Sequence, residues 1–259
     1  MALNVQDLVL ISLAFFLVAT LYSAVGFGGG SSYLAILTLV FADFYDIRTI
    51  ALLCNLTVVT ASCYLYYKKG HLDLKKFLPF VLASIPLAFL GARFRLQEHI
   101  FFIILGASLV ISSIALAVQT LAYSKKEGEI ISYPPFLTYV LGGSIGFLSG
   151  LVGIGGGIFL APVLNHIKWD RSIKIAALAS FFILVNSVSG ISGLLSQGTF
   201  QMPWHEGAAL LVAVFLGGQL GIRISLGRLT ANGIKLITAI LVLIVGLRVF
   251  FINGLRLTF

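Results

Sequence analysis

Two glycine clusters, Gly26-Phe-Gly-Gly-Gly30 and Gly153-Ile-Gly-Gly-Gly157, interrupt long apolar runs and hold the chemistry this sequence offers. Each Gly weakens a helix by about 1 kcal/mol relative to Ala, so a cluster breaks one. Unpaired backbone at membrane depth must line protein or a watered cavity. A helix restarting after the break presents free N–H groups and the positive end of its dipole. Such an end binds an anion without a cationic side chain. The candidate substrate contacts are therefore Gly28, Gly29 and Gly30, with the hydroxyls of Ser31 and Ser32, and Gly155, Gly156 and Gly157. Ile158 and Phe159 stand where the first cluster has its serines, so the site is asymmetric. Close packing of helices through small residues would use the same glycines.

Two amides inside apolar runs, Asn55 and Asn186, complete the candidate set. An amide at membrane depth needs partners, so each is either glue between helices or a ligand contact. Ser23, Thr57, Ser180, Ser187 and Gln219 have lower claims, and His166 reads as a loop-edge residue. All nine acidic residues fall in or beside loops, which leaves a cation site or a carboxylate proton relay without its usual groups. The expected ligand is an anion. No metal-binding cluster or cofactor motif is present, Ser149 in Gly146-Phe-Leu-Ser-Gly150 is not a GxSxG nucleophile, and an intramembrane enzyme is not expected. Cys54 and Cys63, nine apart on one helix, point about 180° from each other and cannot pair.

The elements that must position these residues follow from composition. Of the 259 residues 59% are hydrophobic and 10% charged, with a mean hydropathy of +1.07. A soluble domain carries roughly 25% charged residues, so this chain is an all-α polytopic membrane protein. Apolar runs and their polar punctuation predict ten elements, at about 8–24, 28–42, 49–67, 77–92, 100–122, 134–152, 157–168, 175–197, 207–222 and 233–253. The net charge of +8 lies in short loops without aromatic interleaving, which argues for lipid head groups and against nucleic acid.

A shift of 127 lays Gly26, Gly28, Gly29 and Gly30 on Gly153, Gly155, Gly156 and Gly157. A shift of 130 lays Gly91-Ala-Arg93 on Gly221-Ile-Arg223. The chain thus reads as a first repeat over 1–123, a linker over 124–133 and a second repeat over 134–259, within one membrane domain. If each glycine-broken pair crosses once, Lys and Arg divide nine to seven between the sides. If each pair returns to its starting side, they divide twelve to four, the minority being Arg48, Arg93, Arg95 and Arg256. Positive residues favour the cytoplasm, so the returning arrangement is expected, with both termini on the opposite, periplasmic side. Five elements per half then make the repeats inverted. The broken pairs are either re-entrant hairpins meeting near the membrane middle or pairs of short tilted spans.

These features together, with Gly217-Gly-Gln-Leu-Gly221, resemble the sulfite exporter TauE/SafE family, also called the four-toluene sulfonate uptake permeases, over essentially the whole chain. The resemblance implies a bacterial inner-membrane secondary transporter, more often an exporter, of sulfite or organosulfonates. It would act by alternating access on a small anionic substrate, with a proton as one candidate for coupling and a homodimer as one candidate assembly. A passive anion channel and a carboxylate transporter on the same scaffold share the static features.

Overall fold

The computed structural model describes residues 4–41, 43–94, 96–122, 131, 133–225 and 231–255. The linker expected at 124–133 falls almost entirely outside the described residues, as do Arg95, Lys125, Lys126, Arg228 and Arg256 of the charge division.

Ten α-helices follow one another, with no strand among the described residues: α1 (Val5–Val25), α2 (Gly30–Leu37), α3 (Phe44–Lys68), α4 (Leu74–Arg93), α5 (Glu98–Ala122), α6 (Pro135–Val152), α7 (Gly157–His166), α8 (Ser172–Ser196), α9 (Trp204–Ser225) and α10 (Ala231–Arg248). A π-helical turn over Val249–Gly254 closes the last helix. Seven described helices are long and apolar enough to cross a membrane. Aliphatic side chains such as Leu10, Leu17, Ile111, Val212 and Ile244 cover the outside, as a chain solvated by lipid requires.

Glycine stripes set the helix directions. In α6, Gly142, Gly146 and Gly150 lie directly against Phe80, Ser84 and Ala88 of α4, so these two helices run parallel at backbone contact. In α9, Gly217 and Gly221 lie against Phe16 and Thr20 of α1, again in parallel. Here small residues let helix backbones approach; that is also the use made of Gly91, which meets the Phe147 carbonyl, and of Gly221, which meets the Thr20 carbonyl. By contrast α3 and α8 are antiparallel, because Leu52 meets Gly190 while Tyr66 and Ala176 meet at Gly26. Likewise α5 and α10 run antiparallel, pairing Ile103 with Gly254 and Val110 with Gly246. Exchanging each helix for the one five places on maps this set of pairings onto itself.

With α3 antiparallel to α4 across the short 69–73 turn, the directions close on one frame. Helices α1, α3, α5 and α9 point one way, and α4, α6, α8 and α10 the other. Because α1 and α3 are parallel, the chain must return between them, and it does so through the first glycine break and α2. The same holds for α6, the second break and α7. The two arms of each pair are unequal, which corrects the expected boundaries. The first arm reaches a full span, 21 residues in α1, or about 31 Å. The second is 8 residues in α2, where an element over 28–42 was expected, and 10 in α7, only about 12–15 Å of rise. Thr38 Oγ1 bonds back to the Ala35 carbonyl where α2 ends, competing with the helix ladder.

Lys68, Lys69, Lys75, Lys76, Lys168, Arg171, Lys174 and Arg223 consequently gather at one end of the bundle. The Lys76 ammonium bonds Asp170 there at 2.9 Å, joining the start of α4 to the start of α8. Arg48, counted as a loop residue in the charge division, is instead a fully buried member of α3. Its guanidinium Nη2 donates to the Gly150 carbonyl at 2.7 Å, at the end of α6, where a cation complements the negative helix terminus.

Candidate functional site

Both short helices begin in the middle of the bundle. The N-terminus of α2 lies beside Asn55, near the midpoint of α3, and that of α7 beside Ile183, near the midpoint of α8. Each is entered through a glycine in left-handed conformation, Gly29 at φ +88° and Gly156 at φ +85°. A β-carbon there would be strained in any environment. Glycine also ends the preceding full-span helices: Gly26 turns left-handed while the Phe27 N–H bonds back to the Tyr22 carbonyl at 2.9 Å, a Schellman closure.

Asn55 joins the two breaks. Its Oδ1 accepts from the Gly30 N–H at 2.8 Å, and its Nδ2 donates to the Ile154 carbonyl at 2.8 Å. Of the two alternatives for this amide, helix glue is the one these bonds describe. Glycine is required beside it, since a β-carbon on Gly28 or Gly30 would run into the amide itself.

The polar side chains of the first break are satisfied internally, apart from the buried Tyr33 hydroxyl. Ser31 and Ser32 both lie within hydrogen-bond reach of the buried Tyr22 hydroxyl, at 3.3 and 2.8 Å. The Ser180 hydroxyl donates to the Gly26 carbonyl at 2.6 Å. Tyr33 lays its ring over Gly29 and stacks on Phe15, with centroids 4.7 Å apart.

The second break ends and restarts its helices through left-handed glycines as the first does, with Gly155 left-handed as well, and its side chains differ. Gly155 and Gly157 meet Ile183 where Gly28 and Gly30 meet Asn55. Gly155 also meets Ser187, at the place where Gly28 meets Val59. The shift relating α3 to α8 is thus 128, which pairs Asn55 with Ile183 and Asn186 with Val58. The shift of 127 pairs Tyr22 with Ser149. Ile183 has no acceptor to offer, so the Gly157 and Ile158 N–H groups that open α7 find none among the described residues. Ser149 Oγ, Ser187 Oγ and both amide atoms of Asn186 are likewise buried without a hydrogen-bond partner there. A β-carbon placed on Gly155 would sit 3.3 Å from both Asn55 Nδ2 and Ser187 Oγ.

Buried polar groups are normally bonded, so a cluster of unsatisfied ones asks for an explanation. Donors from α6, α7 and α8 surrounding a helix N-terminus, with no carboxylate beside them, form an arrangement that receives negative charge. The described acidic residues lie at helix ends, as at Asp73, Asp170 and Glu206. No group of His, Cys, Asp and Glu suited to a metal occurs among the described residues, and both cysteines are free and buried.

Of the ten residues expected to touch substrate, the six glycines with Ser31 and Ser32 form the two breaks and Asn55 contacts both, although Ser31 and Ser32 are bonded to Tyr22. Asn186 is buried in α8 at the position equivalent to Val58, which meets Gly218 of α9. Ser149 was weighed only as a nucleophile and Ser187 given a lower claim. The signal for both was available in the repeat overlay, at positions where a large or apolar residue in one half faces a small polar one in the other.

The sequence pattern of the family described as sulfite exporter TauE/SafE matches residues 11–249. The chain is 32% identical over 242 residues to the probable membrane transporter protein y4hK of Sinorhizobium fredii, covering 92% of this chain and 96% of that one. It is 26% identical over 250 residues to the probable membrane transporter protein YunE of Bacillus subtilis, covering 87% and 91%. A probable membrane transporter protein of Methanocaldococcus jannaschii is 28% identical over 228 residues, covering 81% and 83%. No solved structure matches the chain.

Proposed function

This chain belongs to the sulfite exporter TauE/SafE family, and on that premise we propose that it is a secondary transporter of small sulfur oxyanions such as sulfite or organosulfonates. The anion binds at the glycine breaks in the middle of the membrane. The observation that carries this reading is the pair of half-length helices starting mid-bundle, one with unsatisfied N–H groups and hydroxyls around its N-terminus. Discontinuous helices of this kind hold anionic substrate groups in many secondary transporters.

The opposed directions of α1 and α6 support reading 1–123 and 134–259 as inverted repeats, with alternating access by movement of one half against the other. Asn55 spans the two breaks and would have to keep or exchange its bonds in that movement. The concentration of Lys and Arg at one end of the bundle supports placing that end in the cytoplasm and both termini outside. Export follows from the family's description, with a proton as the candidate coupling ion.

The test is flux of labelled sulfite and methanesulfonate into proteoliposomes. Saturable uptake, accelerated by unlabelled anion on the opposite side, is the expected result. Flux that neither saturates nor shows counter-transport would replace the transporter with a channel, and no flux of either anion would end the sulfur-oxyanion reading. Gly156→Leu, whose side chain would collide with Phe182 and Ser149, should abolish flux while the protein still inserts.

A further inference from the structure

We infer that the two breaks are not equivalent sites: the second alone seats the anion, one per chain, and its donors suit an XO3-type head better than a carboxylate. The inference rests on the anion-transport reading and narrows it. In the first break the Gly30 N–H is taken by Asn55, and Ser31 and Ser32 by Tyr22. Among the described residues the buried Tyr33 hydroxyl and the Ser31 N–H lack a partner there, fewer groups than at the second break. In the second break the equivalents of these satisfying groups are Ile183 and Ser149. One cannot accept a hydrogen bond, and the other is too short to reach across as Tyr22 does.

Around the start of α7, donors therefore remain on three sides. The Gly157 and Ile158 N–H groups point along the α7 axis. Ser187 Oγ, 0% exposed and unpartnered, comes from α8 and sits 3.3 Å from the β-carbon position of Gly155. Ser149, 1% exposed with its Oγ unpartnered, comes from α6, its β-carbon 3.1 Å from that of Gly156 were one present. Donors from three sides match the three non-coplanar oxygens of a sulfite or sulfonate head, whereas the acceptor lone pairs of a carboxylate all lie in one plane. Hydrogen bonds to a charged group are the strong ones, so each donor matters to affinity.

The experiment measures binding of sulfite, methanesulfonate and acetate to the purified full-length chain by titration calorimetry, for the wild type and for Ser149→Ala, Ser187→Ala and Ile183→Asn. One sulfite per chain is expected, with acetate at least about tenfold weaker. Ser149→Ala and Ser187→Ala should each weaken sulfite about tenfold, the loss of one hydrogen bond to a charge. Ile183→Asn, which copies the Asn55 arrangement into the second half, should supply the Gly157 N–H with an internal acceptor and abolish binding with no loss of thermal stability. If Ile183→Asn fails to fold, the two serine variants decide the matter. Two anions per chain, acetate as tight as sulfite, or serine variants that bind like the wild type would each overturn the inference while leaving anion transport standing. A wild type that binds neither sulfite nor methanesulfonate would overturn the transport reading along with it.

Discussion

The Asn55 amide donates to the Ile154 carbonyl at 2.8 Å, tying the midpoint of α3 to the glycine break of the other half of the chain. The same side chain accepts from Gly30, so one amide sets the separation of the two half-helices. Asn55→Leu would leave a buried N–H and a buried C=O unpaired, at about 1–3 kcal/mol each. The expected result is a fall in Tm on the order of 5–15 °C with loss of flux, read by thermal unfolding in detergent and by proteoliposome uptake. A Tm within 1–2 °C of the wild type, the shift expected from less than about 1 kcal/mol, would show that the amide does not hold the breaks together.

Not every glycine here serves a site, and the packing glycines should respond differently from the turn glycines. A β-carbon on Gly150 runs into the Ala88 carbonyl of α4, whereas Gly70, at φ +70° in an open turn, has nothing within 4 Å. Gly150→Val should push α4 and α6 apart and lower Tm by on the order of 5–10 °C, through overpacking of a backbone contact. Gly70→Ala should cost only about 1 kcal/mol, the backbone preference alone. Equal losses for the two would contradict the parallel packing of α4 on α6.

The helix directions fix which loops share a side. Lys75→Cys and Ser172→Cys should be modified by an impermeant thiol reagent from the cytoplasmic face, and Gln201→Cys only from the outer face. The native thiols contribute little background, since Cys54 and Cys63 are buried. Labelling of positions 75 and 172 from opposite faces would rule out the returning arrangement of the broken pairs.

Asp170 gives the bundle an acid-sensitive clamp. Its burial on its own raises the pKa, but the hydrogen bond from Lys76, the Arg171 N–H, and the charges of Lys76 and Lys174 together hold it below the usual carboxylate value. A depressed folded-state pKa contributes stability that is present above the unfolded value of about 3.9 and disappears as pH falls through the folded one. The stabilisation from this pair should thus be constant with pH around neutrality and be lost below about pH 4, and Asp170→Asn should be less stable than the wild type at pH 7 with a shallower acid limb. Identical pH profiles for the two proteins would remove the clamp.

The sequence alone determined the membrane class, the existence of ten helical elements and the places where two of them break, because each rests on local chemistry. Apolar runs dissolve in lipid, and clustered glycine cannot hold a helix there. It also singled out Asn55, since an amide in hydrocarbon must find partners. The division of charge matched the end of the bundle at which the described cations gather, because loop charges are read one side at a time. Only tertiary structure decided what each polar residue meets. That Tyr22 satisfies Ser31 and Ser32, that Ile183 stands where Asn55 has its equivalent, and that Arg48 is buried under α6 all depend on contacts between segments about ten to more than a hundred residues apart. Hydrogen bonding is short-ranged and directional, so a one-residue change in the repeat offset, from 127 at the breaks to 128 in the helices beside them, is enough to hide which side chain faces which glycine. The repeat made the two breaks look alike in sequence; packing gave one of them most of its partners and left more of the other's donors unsatisfied.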